Sequence, residues 1–185
     1  GTTTQLAIFP EDASYNLRNF IWRLSSAKVE DEESVFTSLP GVNRIIMIIE
    51  GELFLEHEGH HKKHLRRFEQ DSFSGSWTTK SRGKVTDFNL MMKEGCCGEL
   101  ESIHLDKGES KTYDIYNRES FSQCTHAIYC VNGETNIQVS SDEKYILQKG
   151  DLFLTEIEGK NIKLIYRLCN PKDDQADFIR AAIWF

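Results

Sequence analysis

The 185-residue sequence lacks several features that would assign it to a common functional class. No apolar run approaches the roughly 18 residues that a membrane-spanning helix needs, and the N-terminus shows no basic region followed by an apolar one. Basic residues number 22 against 29 acidic ones, and the net charge is −7. Because phosphate binding needs a basic face, nucleic acid is disfavoured as a partner. We therefore expect a cytoplasmic protein that binds neither membranes nor nucleic acid.

The five cysteines are odd in number and none belongs to a CxxC pair. This pattern favours reduced thiols over a disulfide framework. Cys124 and Cys130 are six residues apart, so in a strand they would share one face and are expected to be buried. The adjacent Cys96 and Cys97 resemble a junction between halves of the chain. No Ser-His-Asp or Cys-His catalytic constellation can be assembled from the spacing alone.

Short apolar segments dominate the sequence, and helical periodicity is almost absent. The run Ile45–Ile49 lies between a Pro-Gly turn and a Glu-Gly hairpin signal, which predicts a strand covered on both faces. Alternation over residues 20–29 and 85–92 predicts two half-buried strands. Only residues 9–20 and 173–182 could form a short helix. The sequence therefore predicts an all-β sandwich or barrel with very little helix.

The second part of the chain repeats the pattern of the first. Residues 126–134 align with residues 44–52, each with a strand followed by a Gly-Glu hairpin. Residues 147–153 align with residues 68–73, where a Gly-Asp type of turn is expected. An internal repeat of this kind indicates two tandem structural units. The predicted halves are residues 1–95 and 96–185.

Three sequence blocks resemble the signature blocks of the HutD/Ves family, in the family's order and spacing. They are Trp22–Ala27, Phe36–Arg44 and Asp87–Met91. The match is concentrated in the first half, and the second half supplies a cupin-like pattern of strands and turns. The resemblance implies a bicupin, with two tandem jelly-roll halves whose barrel mouths suit a small ligand. One branch of the family is associated with histidine utilisation and the other with stress response.

Metal-dependent cupins place two histidines and a glutamate before the hairpin glycine, and a further histidine after the Gly-Asp turn. Arg44 occupies the position of that glutamate, and Trp77–Thr79 follow the turn at Asp71. In the second half, His126 has no upstream histidine partners, and residues 161–162 occupy the place of the downstream histidine. We therefore expect no metal ion and no other cofactor in the cupin centres.

A separate group of histidines is predicted at the tip of the first hairpin, among lysines and glutamates. The favoured interpretation is a solvated loop, because structural zinc sites usually contain cysteines at fixed spacing. Zinc binding is the alternative, and the sequence does not decide between them. The group comprises His57, His60, His61 and His64.

Five polar residues lie in otherwise apolar strands and form the candidate ligand site: Arg23, Ser25, Arg44, Asp87 and Asn89. A buried guanidinium is costly without a carboxylate or a bound anion as partner. In one interpretation Asp87 neutralises one arginine, and the polar groups of these residues satisfy one another inside the protein. In the other, the second arginine offers its planar fork to a ligand carboxylate, with Ser25 and Asn89 fixing its orientation. Trp22 faces the opposite side on strict alternation and is assigned to the core.

Three functional hypotheses follow. The leading one is a metal-free bicupin that binds a small anionic metabolite, as a binding or regulatory protein in histidine utilisation or stress response. The second is a metal-independent isomerase, epimerase or hydrolase for a small polar acid or sugar derivative, with Asp87 as a weak base whose pKa an arginine neighbour would hold low. The third is a structural or interaction module. Exposed cupin sheet edges often pair between subunits, so a homodimer is compatible with all three.

Overall fold

The computed structural model describes residues 1–140, 143–159 and 163–185. These residues form two compact units, Gly1–Cys96 and Cys97–Phe185, which are built from 17 strands. No helix occurs in the described ranges, which confirms the predicted all-β class. Within the same ranges there is accordingly no helix of the length and apolarity needed to cross a membrane. The prediction for residues 161–162 lies outside the described residues.

The first unit contains nine strands in two sheets. They are β1 (Thr2–Phe9), β2 (Trp22–Val29), β3 (Glu33–Val35), β4 (Val42–Gly51), β5 (Leu53–His57), β6 (Lys62–Leu65), β7 (Gln70–Ser74), β8 (Thr79–Arg82) and β9 (Val85–Lys93). One sheet has the order β1-β2-β9-β4-β7 and the other β3-β8-β5-β6, and all pairs are antiparallel.

Strand β4 is the apolar run that the sequence predicted to be covered on both faces. Ile46 and Ile48 lie in a core cluster with residues of both sheets, including Leu55 and Phe73. Ile45 and Met47, on the opposite face of the strand, are also buried. Burial of an isoleucine side chain stabilises the fold by about 1.5–3 kcal/mol, so this strand contributes strongly to the core.

The second unit contains eight strands, again in two antiparallel sheets. They are β10 (Cys97–Leu105), β11 (Ser110–Tyr116), β12 (Gln123–Asn132), β13 (Glu134–Val139), β14 (Lys144–Gln148), β15 (Leu152–Glu158), β16 (Lys163–Cys169) and β17 (Ala176–Trp184). The sheet orders are β10-β17-β12-β15 and β11-β16-β13-β14. This is the order of the first unit without its first strand.

The repeat extends to individual backbone hydrogen bonds. Phe68 N donates to Ile48 O at 2.6 Å, and Gly150 N donates to Cys130 O at 2.8 Å. The reciprocal bonds run from Ile48 N to Glu69 O and from Cys130 N to Asp151 O. The counterpart of Asp151 is therefore Glu69, two residues before the Asp71 that the sequence alignment used. The alignment was wrong at this turn because a phenylalanine, at φ 64°, replaces the glycine expected in the left-handed conformation.

Neither of the short helices considered from the sequence forms. Residues 10–18 make turns and bends, and residues 176–184 form strand β17. This strand pairs with β10 on one side and β12 on the other, and eight of its nine residues are buried. Its nearly continuous apolar sequence is typical of a central strand, and pairing on both edges overrides the local helical propensity of its alanines.

Candidate functional site

The candidate residues lie on three adjacent strands, because β9 is central between β2 and β4. Arg23 of β2 and Arg44 of β4 both pair with Met91 of β9, from opposite sides. Ser25 and Asn89 are paired in the next row. Side chains two residues apart on a strand share a face, so these rows belong to one face of the sheet.

Asp87 lies one row beyond Asn89 on the same face, opposite Ala27 and Ile48. The structure therefore places all five predicted residues on a single sheet face. Each of the five is buried, with exposed fractions of 2–6%. Gln5 of β1 pairs with Ser25 and extends this polar row to the edge strand.

Arg23 is held by neutral partners. Its Nε donates to Gln5 Oε1 at 2.9 Å, and its Nη1 donates to Ser25 Oγ at 3.0 Å. The guanidinium carbon lies 4.7 Å from the centre of the Tyr15 ring. Burial lowers the pKa of Arg23, while the phenol of Tyr15 opposes this shift. None of these neutral contacts cancels the charge of the guanidinium.

Arg44 lies between aromatic rings. Its guanidinium carbon is 4.8 Å from the Phe36 ring centre and 5.2 Å from that of Phe73. Its Nε is buried without a hydrogen-bond partner. Burial lowers the pKa of Arg44 to about 10, against the opposing effect of Asp87, so the side chain stays protonated at neutral pH.

Asp87 differs from the expectation that an arginine neighbour would hold its pKa low. Burial raises the pKa of Asp87 to about 7, although Arg44 and the backbone N–H of Ala27 act in the opposite direction. Its Oδ1 and the Oδ1 of Asn89 are both buried without a hydrogen-bond partner. The expectation was wrong because the sequence shows that an arginine is near but not how completely the carboxyl is removed from water.

The equivalent face of the second unit has a different charge balance. Strand pairing places His126 at the position of Arg44, and Arg180 at that of Asn89. Arg180 Nη1 donates to Glu101 Oε2 at 3.1 Å. Burial lowers the pKa of His126 to about 3, with Arg180 acting in the same direction, so the imidazole is neutral. The sequence reasoning missed Glu101 and Arg180, which the repeat could have located.

Comparison with known proteins decides the family. The model of the HutD family matches residues 1–167 of this chain. The chain belongs to the HutD family. This confirms the resemblance found in the three sequence blocks, and it extends the HutD match well into the second unit.

Solved structures confirm the cupin-like fold of this HutD-family chain. A conserved protein of unknown function, PA5104 from Pseudomonas aeruginosa PAO1, is 23% identical with a TM-score of 0.81, covering 99% of this chain and 89% of that one. HutD from Pseudomonas fluorescens SBW25 is 22% identical with a TM-score of 0.66, covering 97% and 86%. A cupin 2 conserved barrel domain protein from Leptotrichia buccalis is 14% identical with a TM-score of 0.53, covering 99% and 88%.

The hairpin histidines of this HutD-family chain do not form a uniformly solvated group. His57 ends strand β5 on its buried face and is 2% exposed, so the solvated-loop interpretation was wrong for this residue. Its Nε2 lies 3.0 Å from Asp71 Oδ2, and His61 Nε2 lies 2.9 Å from the same oxygen. His60 instead stacks on Trp77, with ring centres 3.7 Å apart.

His64 also lies apart from this cluster. Its ring stacks on Phe54 at 3.9 Å, and its Nε2 contacts Glu52 Oε2 at 2.8 Å. The four histidines therefore divide into a pair around Asp71, of which His57 is buried and His61 is partly exposed, and two that make separate surface contacts.

Proposed function

We propose that this HutD-family cupin binds a small anionic metabolite on the face formed by β2, β9 and β4. Arg44 is the anchor, and Arg23, Ser25, Asp87 and Asn89 surround the ligand. The observation that carries the proposal is the charge balance of the face. Two buried guanidiniums share it with one carboxyl group, and the pKa of that carboxyl lies near neutrality. Positive charge therefore exceeds negative charge, and an anion would compensate for the difference.

The second unit supports this interpretation as an internal comparison. Its arginine at the Asn89 position has a carboxylate at hydrogen-bond distance, and its residue at the Arg44 position is a neutral histidine. In the second unit, the equivalent sheet face therefore holds an arginine whose charge is balanced by a carboxylate. In the first unit Arg23 has only neutral hydrogen-bond acceptors.

The atoms without partners also restrict the ligand. The Nε of Arg44 is a buried donor, whereas the Oδ1 atoms of Asp87 and Asn89 are buried acceptors. Buried polar atoms are costly to leave unsatisfied, so the ligand should offer both an acceptor and a donor. A carboxylate would contact Arg44, and a hydroxyl or N–H group would reach the acceptors. A small hydroxy acid or amide-bearing acid meets these requirements.

We infer a binding or regulatory role, and a part in histidine utilisation rests on the family alone. One observation favours the enzymatic alternative. A carboxyl group with a pKa of about 7 is matched to general base catalysis at neutral pH. Asp87 would then remove a proton from the bound acid. Turnover of the ligand found in the binding experiment, lost in Asp87→Asn, would establish this second function.

The test is a thermal-shift and calorimetric screen of small carboxylic acids with wild type and Arg44→Lys. Lysine keeps the charge but not the fork, and Arg66→Lys in the same unit is the matched exposed control. A ligand at 100 times its Kd stabilises the native state by about 2.7 kcal/mol, which is measurable in a melting experiment. We expect stabilisation of wild type and Arg66→Lys and little in Arg44→Lys. Equal stabilisation of all three proteins would contradict the proposed anchor.

Acids that carry a hydroxyl or amide N–H should bind more tightly than alkyl acids of the same length. Formate is a useful minimal probe, since a formate condition is named for the structure of HutD from Pseudomonas fluorescens SBW25. Wild type that shows no response to any acid would instead favour the structural hypothesis, in which the arginines only support the fold.

A further inference from the structure

We propose that His57, His61 and Asp71 form a binding site for a divalent transition-metal ion, with zinc as the best-suited metal. One ligand atom from each residue lies within 4.8 Å of the other two. The Nε2 atoms of both histidines converge on Asp71 Oδ2, at 3.0 and 2.9 Å. Two imidazoles and a carboxylate are a typical ligand set for zinc. The site is distinct from the positions at which metal-dependent cupins place their ligands.

The local fold explains why these side chains meet. Leu53, Leu55 and His57 alternate on the buried face of β5, so the histidine continues the inward side of the strand. The hairpin then returns His61, whose backbone oxygen accepts a hydrogen bond from His57 N at 2.9 Å. Asp71 is the second residue of β7, in the other sheet of the unit. The cluster therefore joins a hairpin end to the facing sheet.

The distances suit coordination after a small adjustment. A tetrahedral zinc ion with ligand bonds of about 2.0–2.1 Å requires its ligand atoms to be about 3.3 Å apart. The two separations from Asp71 Oδ2 are 2.9 and 3.0 Å, so both need to widen by only a few tenths of an ångström. The His61 side chain is 40% exposed and can move, whereas that of His57 is fully enclosed. One fixed ligand and one adjustable ligand would thus hold the ion.

Thr79 supplies the second interaction that a metal-binding histidine needs. The Nδ1 of His57 lies 2.8 Å from Thr79 Oγ1, which can itself donate to the carbonyl oxygen of Trp77 at 3.4 Å. In that arrangement His57 Nδ1–H donates to Thr79, and the lone pair of Nε2 is directed at the metal.

Three protein ligands leave one tetrahedral position for water or for an anionic ligand. Structural zinc sites normally use four protein ligands, whereas sites with three protein ligands and one open position are the catalytic type. The exposed side of the cluster is that of His61. The chemical class assigned to the site is thus a divalent metal ion that keeps one exchangeable ligand.

The primary test is calorimetric titration of the chelator-treated full chain with Zn²⁺. We expect one ion per chain in wild type, and affinity at least about tenfold weaker in His61→Ala and in Asp71→Asn. His60→Ala is the matched control, because His60 belongs to the same hairpin but stacks on Trp77 and offers no ligand to the cluster. It should keep wild-type affinity. Thr79→Val should weaken binding by about 10–100-fold, as expected for a group that orients a ligand.

Trp77 provides a readout that reports the location of the ion. Its ring centre lies 5.7 Å from that of His57 and 5.9 Å from that of His61. Bound Cu²⁺ should therefore quench its fluorescence, and Trp77→Phe should lose the quenching signal but keep the stoichiometry. Circular dichroism without metal checks that each variant is folded.

Three results would overturn the proposal. They are the absence of Zn²⁺ binding to wild type, an affinity unchanged in both His61→Ala and Asp71→Asn, and an equal loss in His60→Ala. Binding that survives both ligand substitutions would assign the ion to residues outside this cluster. Because Arg44 is unchanged in every variant, failure of this test would not affect the proposed anion site.

Discussion

Replacement of Asp87 by asparagine should change how the stability of the protein depends on pH. Asparagine is nearly isosteric with aspartate but does not titrate. Burial raises the pKa of Asp87 to about 7, from an ordinary value of 3.8, and the attraction of Arg44 does not offset this. The native state therefore holds this proton more tightly than the unfolded state does.

The sign follows from proton linkage. Between pH 3.8 and about 7 the native protein carries more of this proton than the unfolded chain, so its stability falls as pH rises. A shift of about three pKa units corresponds to at most about 4 kcal/mol, and partial relaxation of the buried site reduces the expected effect to about 2–4 kcal/mol. Between pH 4 and pH 8, the unfolding free energy of wild type should therefore fall by about 2–4 kcal/mol relative to that of Asp87→Asn.

The assay is urea unfolding of wild type and Asp87→Asn at intervals from pH 4 to pH 8. Asp12→Asn, which changes an exposed aspartate of the same unit, corrects for the loss of one carboxylate. A difference in unfolding free energy that is constant with pH would refute the raised pKa. A difference that moves in favour of wild type with rising pH would identify Asp87 as a strong ion-pair partner of Arg44, and the surplus positive charge would disappear.

Two further predictions concern the second unit. Gly133→Ala should destabilise the protein by about 2–3 kcal/mol and Gly150→Ala by about 1 kcal/mol in chemical denaturation. Both glycines have positive φ, but only at Gly133 would the new Cβ meet Ala176 Cβ, at 2.8 Å. Cys124 and Cys130 should not react with a disulfide reagent in the native protein at pH 8, because burial raises the pKa of each thiol to about 12.

Each of these predictions has its own control. Equal destabilisation by both alanine substitutions would show that strain in the backbone, and not the contact with Ala176, decides the cost at Gly133. Unfolding in denaturant should make all five thiols reactive. Native labelling of all five at one rate would contradict the burial of Cys124 and Cys130.

The faces of individual strands could be predicted from the sequence, because alternation is a local property. Arg23 and Ser25 share a face for that reason, as do Asp87 and Asn89. Their meeting on one sheet depends on β9 lying between β2 and β4. At Asn89 these pairings join residues 64 positions apart, with Ser25, and 43 positions apart, with Ile46. No local pattern specifies such an order, so the assembly of the candidate site was visible only in the structure.

Burial was the property that the sequence conveyed least well. His57 lies among charged residues in the sequence, yet it continues the inward alternation of Leu53 and Leu55. That alternation was a signal that could have identified it. The raised pKa of Asp87 had no such signal, because it depends on how completely both sheets exclude water from the carboxyl group.

The shared hairpin of the two units has a consequence for protein engineering. Ile48 of the first unit and Cys130 of the second make equivalent backbone hydrogen bonds. Four residues before them, the first unit has Arg44 and the second has His126, although the strands, turns and registers of the two units are alike. The two units thus place different side chains at one equivalent position of the same backbone framework. For the proposed anion site, exchanging these two residues is therefore the smallest change that would move the arginine from one unit to the other on an equivalent backbone.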